Sequence, residues 1–318
     1  MKSYMCGMHL NGNKSFVRIR KDYNNMEHRL VRKEKTGRAH APVMRSMQIS
    51  EEEFPYFSYP LLEQTGMVNH CFTTRLGGVS KGIYQSLNLS FSRGDDSKAV
   101  EENFRRVSEV MGCKYEDFVL SDQTHTTNVR RVGRKDAGKG LLKERGYSDV
   151  DGLMTNEPGI VLSTFYADCV PLYFVDVKNR AIALSHSGWR GTVGRMGLAT
   201  LEAMRREFGT RPENVICAIG PSICQDCYEI SQDVAEEFIR EFPGCEQEIL
   251  IAKEDGKYQL DLWRTNEIVL LQAGIKQEHL SVTDVCTCCN PNLLFSHRAS
   301  QGKRGNLGAF LSLKEDLV

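Results

Sequence analysis

The chain has 318 residues, with 41 Lys and Arg against 41 Asp and Glu, 41% hydrophobic residues and 26% charged. That composition excludes disorder throughout, and at roughly 150 residues per domain the length suits one large α/β domain or two modest ones. The longest apolar stretch, 160–175, is broken by Asp168 and Pro171, well short of the roughly 20 clean residues a membrane span needs. No apolar signal-peptide core follows Met1.

Zero net charge hides an asymmetry: residues 1–48 carry eleven Lys/Arg and three Asp/Glu, which leaves −8 on the remainder. This basic arm, without a sustained period of 3.6 or 2, is expected to be a poorly ordered extension, or sequence upstream of a start at Met44 or Met47. The expected division is therefore 1–48 as extension and 49–318 as one catalytic domain. Eleven cysteines at irregular spacing, without a secretion signal, point to reduced thiols and a cytoplasmic protein.

In chain order, a strand over 67–74 runs into the glycine-rich turn Leu76-Gly77-Gly78-Val79-Ser80. Asp95-Asp96-Ser97 offers N-caps for a helix whose buried face is Val100, Phe104, Val107 and Met111, closed by Gly112. Strands follow at 118–120 and 129–132, then a Gly-, Lys- and Arg-rich segment, 133–148, expected to be a mobile loop. The runs 160–166, 172–175 and 181–184 are almost continuously apolar, as central strands are. A helix is expected over 193–208, a strand over 215–219, a helix over 234–242, a strand over 258–260, a helix over 263–273 and a strand over 280–285. The interleaved α and β signals, with no repeat of 20–50 residues, imply one mixed α/β domain.

Asp168-Cys169 and His186 fall at apparent strand ends, 17 residues separating the thiol from the imidazole. They form a nucleophile–base pair, a pair of metal ligands, or a buried thiol beside an ordinary histidine. If His125 joins them, the set suits zinc with one open position, where a water would be acidified and Asp168 would move its proton. Arg75, Arg93 and Arg190 are loop guanidiniums able to clamp a phosphate or carboxylate or to form surface salt bridges, Arg190 best placed for an anion because it approaches a helix start. Trp189 stacks on a substrate ring or fills the core. Cys224-x-x-Cys227 with Cys286-x-Cys288-Cys289 could form a four-thiolate site, but the cramped second motif favours thiols without a ligand role. No P-loop, HExxH, GxSxG or EF-hand motif is present.

Together, Phe72-Thr73-Thr74-Arg75-Leu76-Gly77-Gly78-Val79-Ser80, Ser86-Leu87-Asn88-Leu89, Gln123-Thr124-His125, Ala167-Asp168-Cys169-Val170-Pro171, His186-Ser187-Gly188-Trp189-Arg190-Gly191, Ile219-Gly220-Pro221-Ser222-Ile223, Tyr228-Glu229, Asp261-Leu262-Trp263 and Phe295-Ser296-His297-Arg298 resemble the YfiH/YlmD-like family. That family long carried the label laccase-like or multicopper polyphenol oxidase. The resemblance spans about residues 55–315 and implies a four-layer α/β/β/α domain with mixed sheets, similar to that of the cytotoxic necrotizing factor toxins. It implies zinc on His125, Cys169 and His186. It also implies phosphorolysis of adenosine, inosine and methylthioadenosine to the free base and a ribose 1-phosphate or its methylthio analogue, with deamination of adenosine.

On that basis purine nucleosides and phosphate are the expected partners, with no membrane or nucleic acid, in a monomer or small homo-oligomer. Asp168 would move protons in deamination, Arg75 or Arg190 would hold phosphate, and Ser80, Asn88, Gln123 and Trp189 would contact substrate. The chain departs from the family pattern at Thr126, where Gly is common, and at Ala299, where a second Arg often stands. The alternatives are a Cys169/His186 hydrolase acting on an amide or a cell-wall precursor, and a copper-dependent oxidase. His70, His125, His186, His279 and His297 are little clustered for copper. A non-catalytic zinc or partner-binding module is a further reading, disfavoured by the open coordination position.

Overall fold

The apolar runs of the middle of the chain become the central strands of two stacked sheets. The computed structural model describes residues 30–33 and 40–315. In chain order the strands are β1 (Val43–Ile49), β2 (Glu52–Ser58), β3 (Val68–Thr73), β4 (Phe118–Leu120), β5 (Val129–Arg131), β6 (Gly152–Thr155), β7 (Val161–Tyr166), β8 (Val170–Asp176), β9 (Ala181–Ser187), β10 (Val215–Ile219), β11 (Glu229–Ile230), β12 (Leu250–Ala252), β13 (Tyr258–Leu260), β14 (Leu280–Val282) and β15 (Leu307–Leu313). The first sheet has the order β1-β2-β3-β15-β7-β4, the second β14-β10-β8-β9-β6-β5, and a small third sheet is β11-β13-β12. Both large sheets are mixed, with parallel pairs β4/β7, β5/β6 and β10/β14 among antiparallel ones.

Alternate residues of one strand serve different layers because successive side chains point to opposite faces. On β8, Tyr173 and Val175 join Phe57, Phe72, Leu162 and Leu311 between the sheets. Leu172 and Phe174 face outward, onto Leu201, Met204, Phe238 and Trp263 of the helices Met196–Phe208, Gln232–Glu241 and Leu262–Gln272. The helix Ser97–Met111 covers the outer face of the first sheet through Val100, Phe104 and Val107, which pack with Phe118 and Phe310. This is the expected α/β/β/α arrangement. The helix is capped as its sequence indicates: the Asp96 side chain accepts from Lys98 N–H, and Gly112 ends it with φ 61°, the left-handed conformation glycine adopts most readily.

Several local expectations need correction. The helix expected over 193–208 starts at Met196 and ends at Phe208 as expected, and a separate short helix, Trp189–Val193, precedes it across Gly194 and Arg195, whose φ is 54°. Segment 133–148 is a loop tied to the body: Tyr147 donates to the Leu120 carbonyl, Arg145 pairs with Asp122, and Gly138 N–H donates to the Phe118 carbonyl. β1 starts at Val43, inside the supposed extension, because its pairing with β2 gives it a place in the sheet. Residues 1–29 and 34–39 lie outside the described residues. β15, unforeseen from sequence, is a central strand of the first sheet, paired with both β3 and β7.

Candidate metal centre

The chain crosses from the first sheet to the second in the three residues between β7 and β8, and Cys169 ends that step. Asp168 takes φ 89° there, a conformation rare for a side-chain-bearing residue. Its carboxylate stabilises the turn: Oδ1 accepts from Thr287 Oγ1 at 2.6 Å and Oδ2 from Arg298 N–H at 2.7 Å. β8 and β9 pair antiparallel with Pro171 opposite His186, which brings the imidazole beside the thiol. His186 lies within β9, not beyond its end.

His125 arrives from a separate loop, and one residue absent from the sequence reading holds it. Asp151, fully buried, accepts from the backbone N–H groups of Thr124 (3.1 Å), His125 (3.1 Å) and Thr126 (2.9 Å) and from the Thr126 hydroxyl (3.0 Å). It also accepts from His186 Nδ1 at 2.7 Å. One carboxylate thus fixes the loop that presents His125, at φ 68°, and leaves Nε2 of His186 free toward the thiol. Burial raises the Asp151 pKa, but the His186 hydrogen bond and charge and the N–H donors outweigh it and hold the carboxylate below its ordinary range. The Asp-Gly step at 151–152 reads as turn chemistry in sequence, which conceals this role.

The ligand atoms of His125, Cys169 and His186 all lie within 4.8 Å of one another, with Cys169 Sγ 3.9 Å from His125 Nε2. His186 is buried, Cys169 half-buried and His125 exposed, so the group opens to solvent on one side. Burial raises the Cys169 pKa, yet the opposing charge of His186 and the contact with His125 lower it to about 6. His186 loses basicity through burial, but the Cys169 charge and the Asp151 bond raise it to about 9. Gly188 has no room for a side chain: a Cβ would stand 2.8 Å from His125 Cδ2 and 3.1 Å from Cys169 Sγ. Two imidazoles and a thiolate, one imidazole braced by a carboxylate, form a donor set that fits a metal ion with an open position.

The trio floors a cleft of about 370 Å³, also lined by Ser90, Arg93, Gln123, Tyr166, Arg304 and Asn306. Arg304, missed in the sequence, is 9% exposed; its Nη1 donates to the Gly305 carbonyl and to Asn306 Oδ1, while Nε has no hydrogen-bond partner. Burial and the neighbouring Arg93 push its pKa down to about 10. Arg93 and Arg304 therefore lie near each other in the cleft lining, which also holds Arg145, paired with Asp122.

Other expected site residues lie elsewhere or are already engaged. Arg75 donates to the carbonyls of Gln85 and Pro291 and sits over the Phe295 ring, 4.5 Å from its centroid, so it ties loops together. Arg190 is exposed, sits over the ring of Trp189 and does not line the cleft; Trp189 packs on the outer helical core. Asn88 is fully buried, bonded to Ser90, Asp95 and Asn306. Ser80 lines a second cavity and accepts from Asn103. Gln123 reaches the cleft, but its amide bonds both backbone groups of Phe165. Asp168, its oxygens taken by Thr287 and Arg298, is not part of the cleft lining.

Mixed sheets stacked between helices, with a Cys/His group at the crossing between sheets, define a mixed α/β protein with a site capable of holding a metal. Residues 69–314 match the family described as multi-copper polyphenol oxidoreductase laccase, and the chain belongs to it. The chain is 34% identical over 245 residues to the purine nucleoside phosphorylase YlmD of Bacillus subtilis, covering 77% of this chain and 88% of that protein. It is 33% identical over 229 residues to the adenosine deaminase RL5 of an unknown prokaryotic organism, covering 71% and 87%. The crystal structure of YlmD from Geobacillus stearothermophilus superimposes with a TM-score of 0.77 at 32% identity, covering 85% of this chain and 99% of that one. Among the described residues no helix is long and apolar enough to cross a membrane.

Proposed function

We propose that this protein is a zinc-dependent purine nucleoside phosphorylase that also deaminates adenosine. The observation that carries the reading is the convergence of His125, Cys169 and Asp151-braced His186 at the floor of a cleft of nucleoside size, in a chain similar to a phosphorylase and to an adenosine deaminase. Zinc on these ligands would supply a Lewis acid and an acidified water. A multicopper oxidase centre is disfavoured, because among the described residues no histidine beyond His125 and His186 joins the group, although one thiolate with two imidazoles suits either zinc or a single copper ion.

The protein's own groups would divide the work as follows. Asp151 keeps Nδ1 of His186 protonated and points Nε2 at the metal position. Arg93 and Arg304, in place of Arg75 and Arg190, hold phosphate by charge-assisted hydrogen bonds. A phosphate oxygen then bonds to ribose C1′ as the C1′–N9 bond breaks, its electron pair leaving with the purine. In deamination, water adds at C6 and ammonia departs. Asp168 acts as a positioning residue that holds the turn presenting Cys169, since both its oxygens already accept hydrogen bonds.

The test is to purify the protein without added metal, measure bound zinc and copper, and follow adenosine turnover with and without phosphate, beside Cys169→Ala. About one zinc at this site, phosphate-dependent adenine release, and loss of both in the variant are expected. The order Asp151, His186, Cys169 also suits a cysteine hydrolase. Turnover that persists after zinc is stripped would favour that reading and overturn the zinc mechanism.

A further inference from the structure

Away from the cleft, four thiols from two loops converge. We propose that Cys224, Cys227, Cys286 and Cys289 bind a second zinc ion as a closed four-thiolate site that staples the loop after β10 to the loop after β14. The sequence alone shows Cys286-x-Cys288-Cys289 as one cramped motif, which disfavours a site. In the fold Cys288 stands outside the group, and the ligand spacing becomes Cys-x-x-Cys in both loops. That is the common spacing of structural zinc sites.

The topology explains the convergence. β10 and β14 are parallel neighbours, so their chains leave the sheet edge side by side, and a bridge between Ser222 and Cys286 continues the pairing into the loops. Cys227 Sγ lies 3.5 Å and Cys224 Sγ 4.0 Å from Cys289 Sγ, and all four sulfurs lie within 4.8 Å of one another. A tetrahedron with zinc–sulfur bonds of about 2.3 Å has sulfur–sulfur edges of about 3.8 Å. These separations are nearly twice the disulfide length of about 2.05 Å, and all four cysteines are free.

Surrounding groups fit a charged thiolate cluster. The backbone N–H groups of Cys224 and Cys289 point at Cys286 Sγ, at 3.2 and 3.4 Å. Cys224 and Cys286 are buried, Cys227 and Cys289 half-buried, so the centre would be closed to substrate. Residues 30–33 lie over the same loops: Val31 exchanges hydrogen bonds with Asn290, Arg32 pairs with Asp284, and Lys33 pairs with Asp226, which ties this segment to the loops that carry the thiols. The loop so stapled carries Thr287, the hydroxyl donor to Asp168. The second ion would thereby brace the turn that presents Cys169, without taking part in the reaction.

The test counts metal in the full chain and does not depend on activity. Protein produced with zinc and washed free of loosely bound metal is expected to hold two zinc ions per chain, Cys169→Ala one, and the double variant Cys227→Ser/Cys289→Ser one. Cobalt(II) loaded into Cys169→Ala, with all four thiols intact, is expected to show the intense sulfur-to-cobalt charge transfer and tetrahedral bands of a four-thiolate centre. This arm stands even if the double variant fails to fold. A Cys169→Ala protein without bound metal or those bands, an intact mass showing disulfides in freshly isolated protein, or iron in place of zinc would each overturn the proposal.

Discussion

Replacing Asp151 with Asn tests the central structural idea, that one buried carboxylate builds the metal centre. The substitution preserves shape but removes the charge that accepts from three backbone N–H groups, the Thr126 hydroxyl and His186 Nδ1. An amide offers one acceptor oxygen, and its NH2 would face donors that already point inward. Losing a carboxylate that orients a ligand histidine typically weakens metal binding about 10–100-fold, or about 1.4–2.7 kcal/mol. Removing one partner of a buried charge pair destabilises by about 3–5 kcal/mol, and His125 would lose the anchor that keeps its backbone at φ 68°. The assay is zinc affinity by competition with a chromophoric chelator, beside thermal unfolding of the zinc-free protein. A folded D151N protein that binds zinc within twofold of the parent would refute the reasoning.

Three further outcomes are expected. In zinc-free protein, Cys169 is lowered to about 6 and His186 raised to about 9, so alkylation of Cys169 by iodoacetamide should rise through about pH 6; a midpoint above 8 would contradict the pairing, and zinc should protect. The stability these shifts confer on the zinc-free fold is lost as pH falls through about 6, where the thiolate protonates, and as it rises through about 9, where the imidazolium deprotonates. Gly188→Ala should lower zinc affinity at least tenfold by pushing a methyl against His125 and Cys169, which chelator competition reads directly; unchanged affinity would show that the two ligands shift freely. Arg304→Ala should raise the KM for phosphate at least tenfold while deamination changes little, whereas Arg75→Ala should lower the melting temperature and leave that KM alone; the opposite pattern would restore Arg75 as the phosphate ligand.

Much of the architecture follows from local rules visible in the chain. The apolar runs that become β7, β8 and β9 are buried on both faces and could be read as central strands. The helix Ser97–Met111 carries its own caps and apolar stripe, and local signals of that kind need no tertiary information. Cys169 and His186 could be read as neighbours because they sit on what look like adjacent strands, whereas the place of His125 beside them rested on the family resemblance. β15 was not legible as a sheet member, since a strand's place depends on which distant strand it pairs with, and β15 pairs with residues more than 130 positions away; β1 pairs locally with β2 but lies in a basic segment without a strand period.

What tertiary structure alone decided is where polar groups are satisfied. Asp151 looks like a turn residue until five donors converge on it, and Asn88, expected among the substrate contacts, has its amide bonded inside the fold. Arg75 and Arg304 carry the same charge in sequence; one is tied to the carbonyls of Gln85 and Pro291 away from the cleft, while the other lines the cleft and is held there by Gly305 and Asn306. Cys286 and Cys289 become partners of Cys224 and Cys227 only because β10 and β14 leave the sheet in parallel. Side-chain chemistry and hydrophobic period are properties of the chain, whereas hydrogen-bond partners and electrostatic neighbours are properties of contacts between segments far apart in sequence, and folding is what creates those contacts.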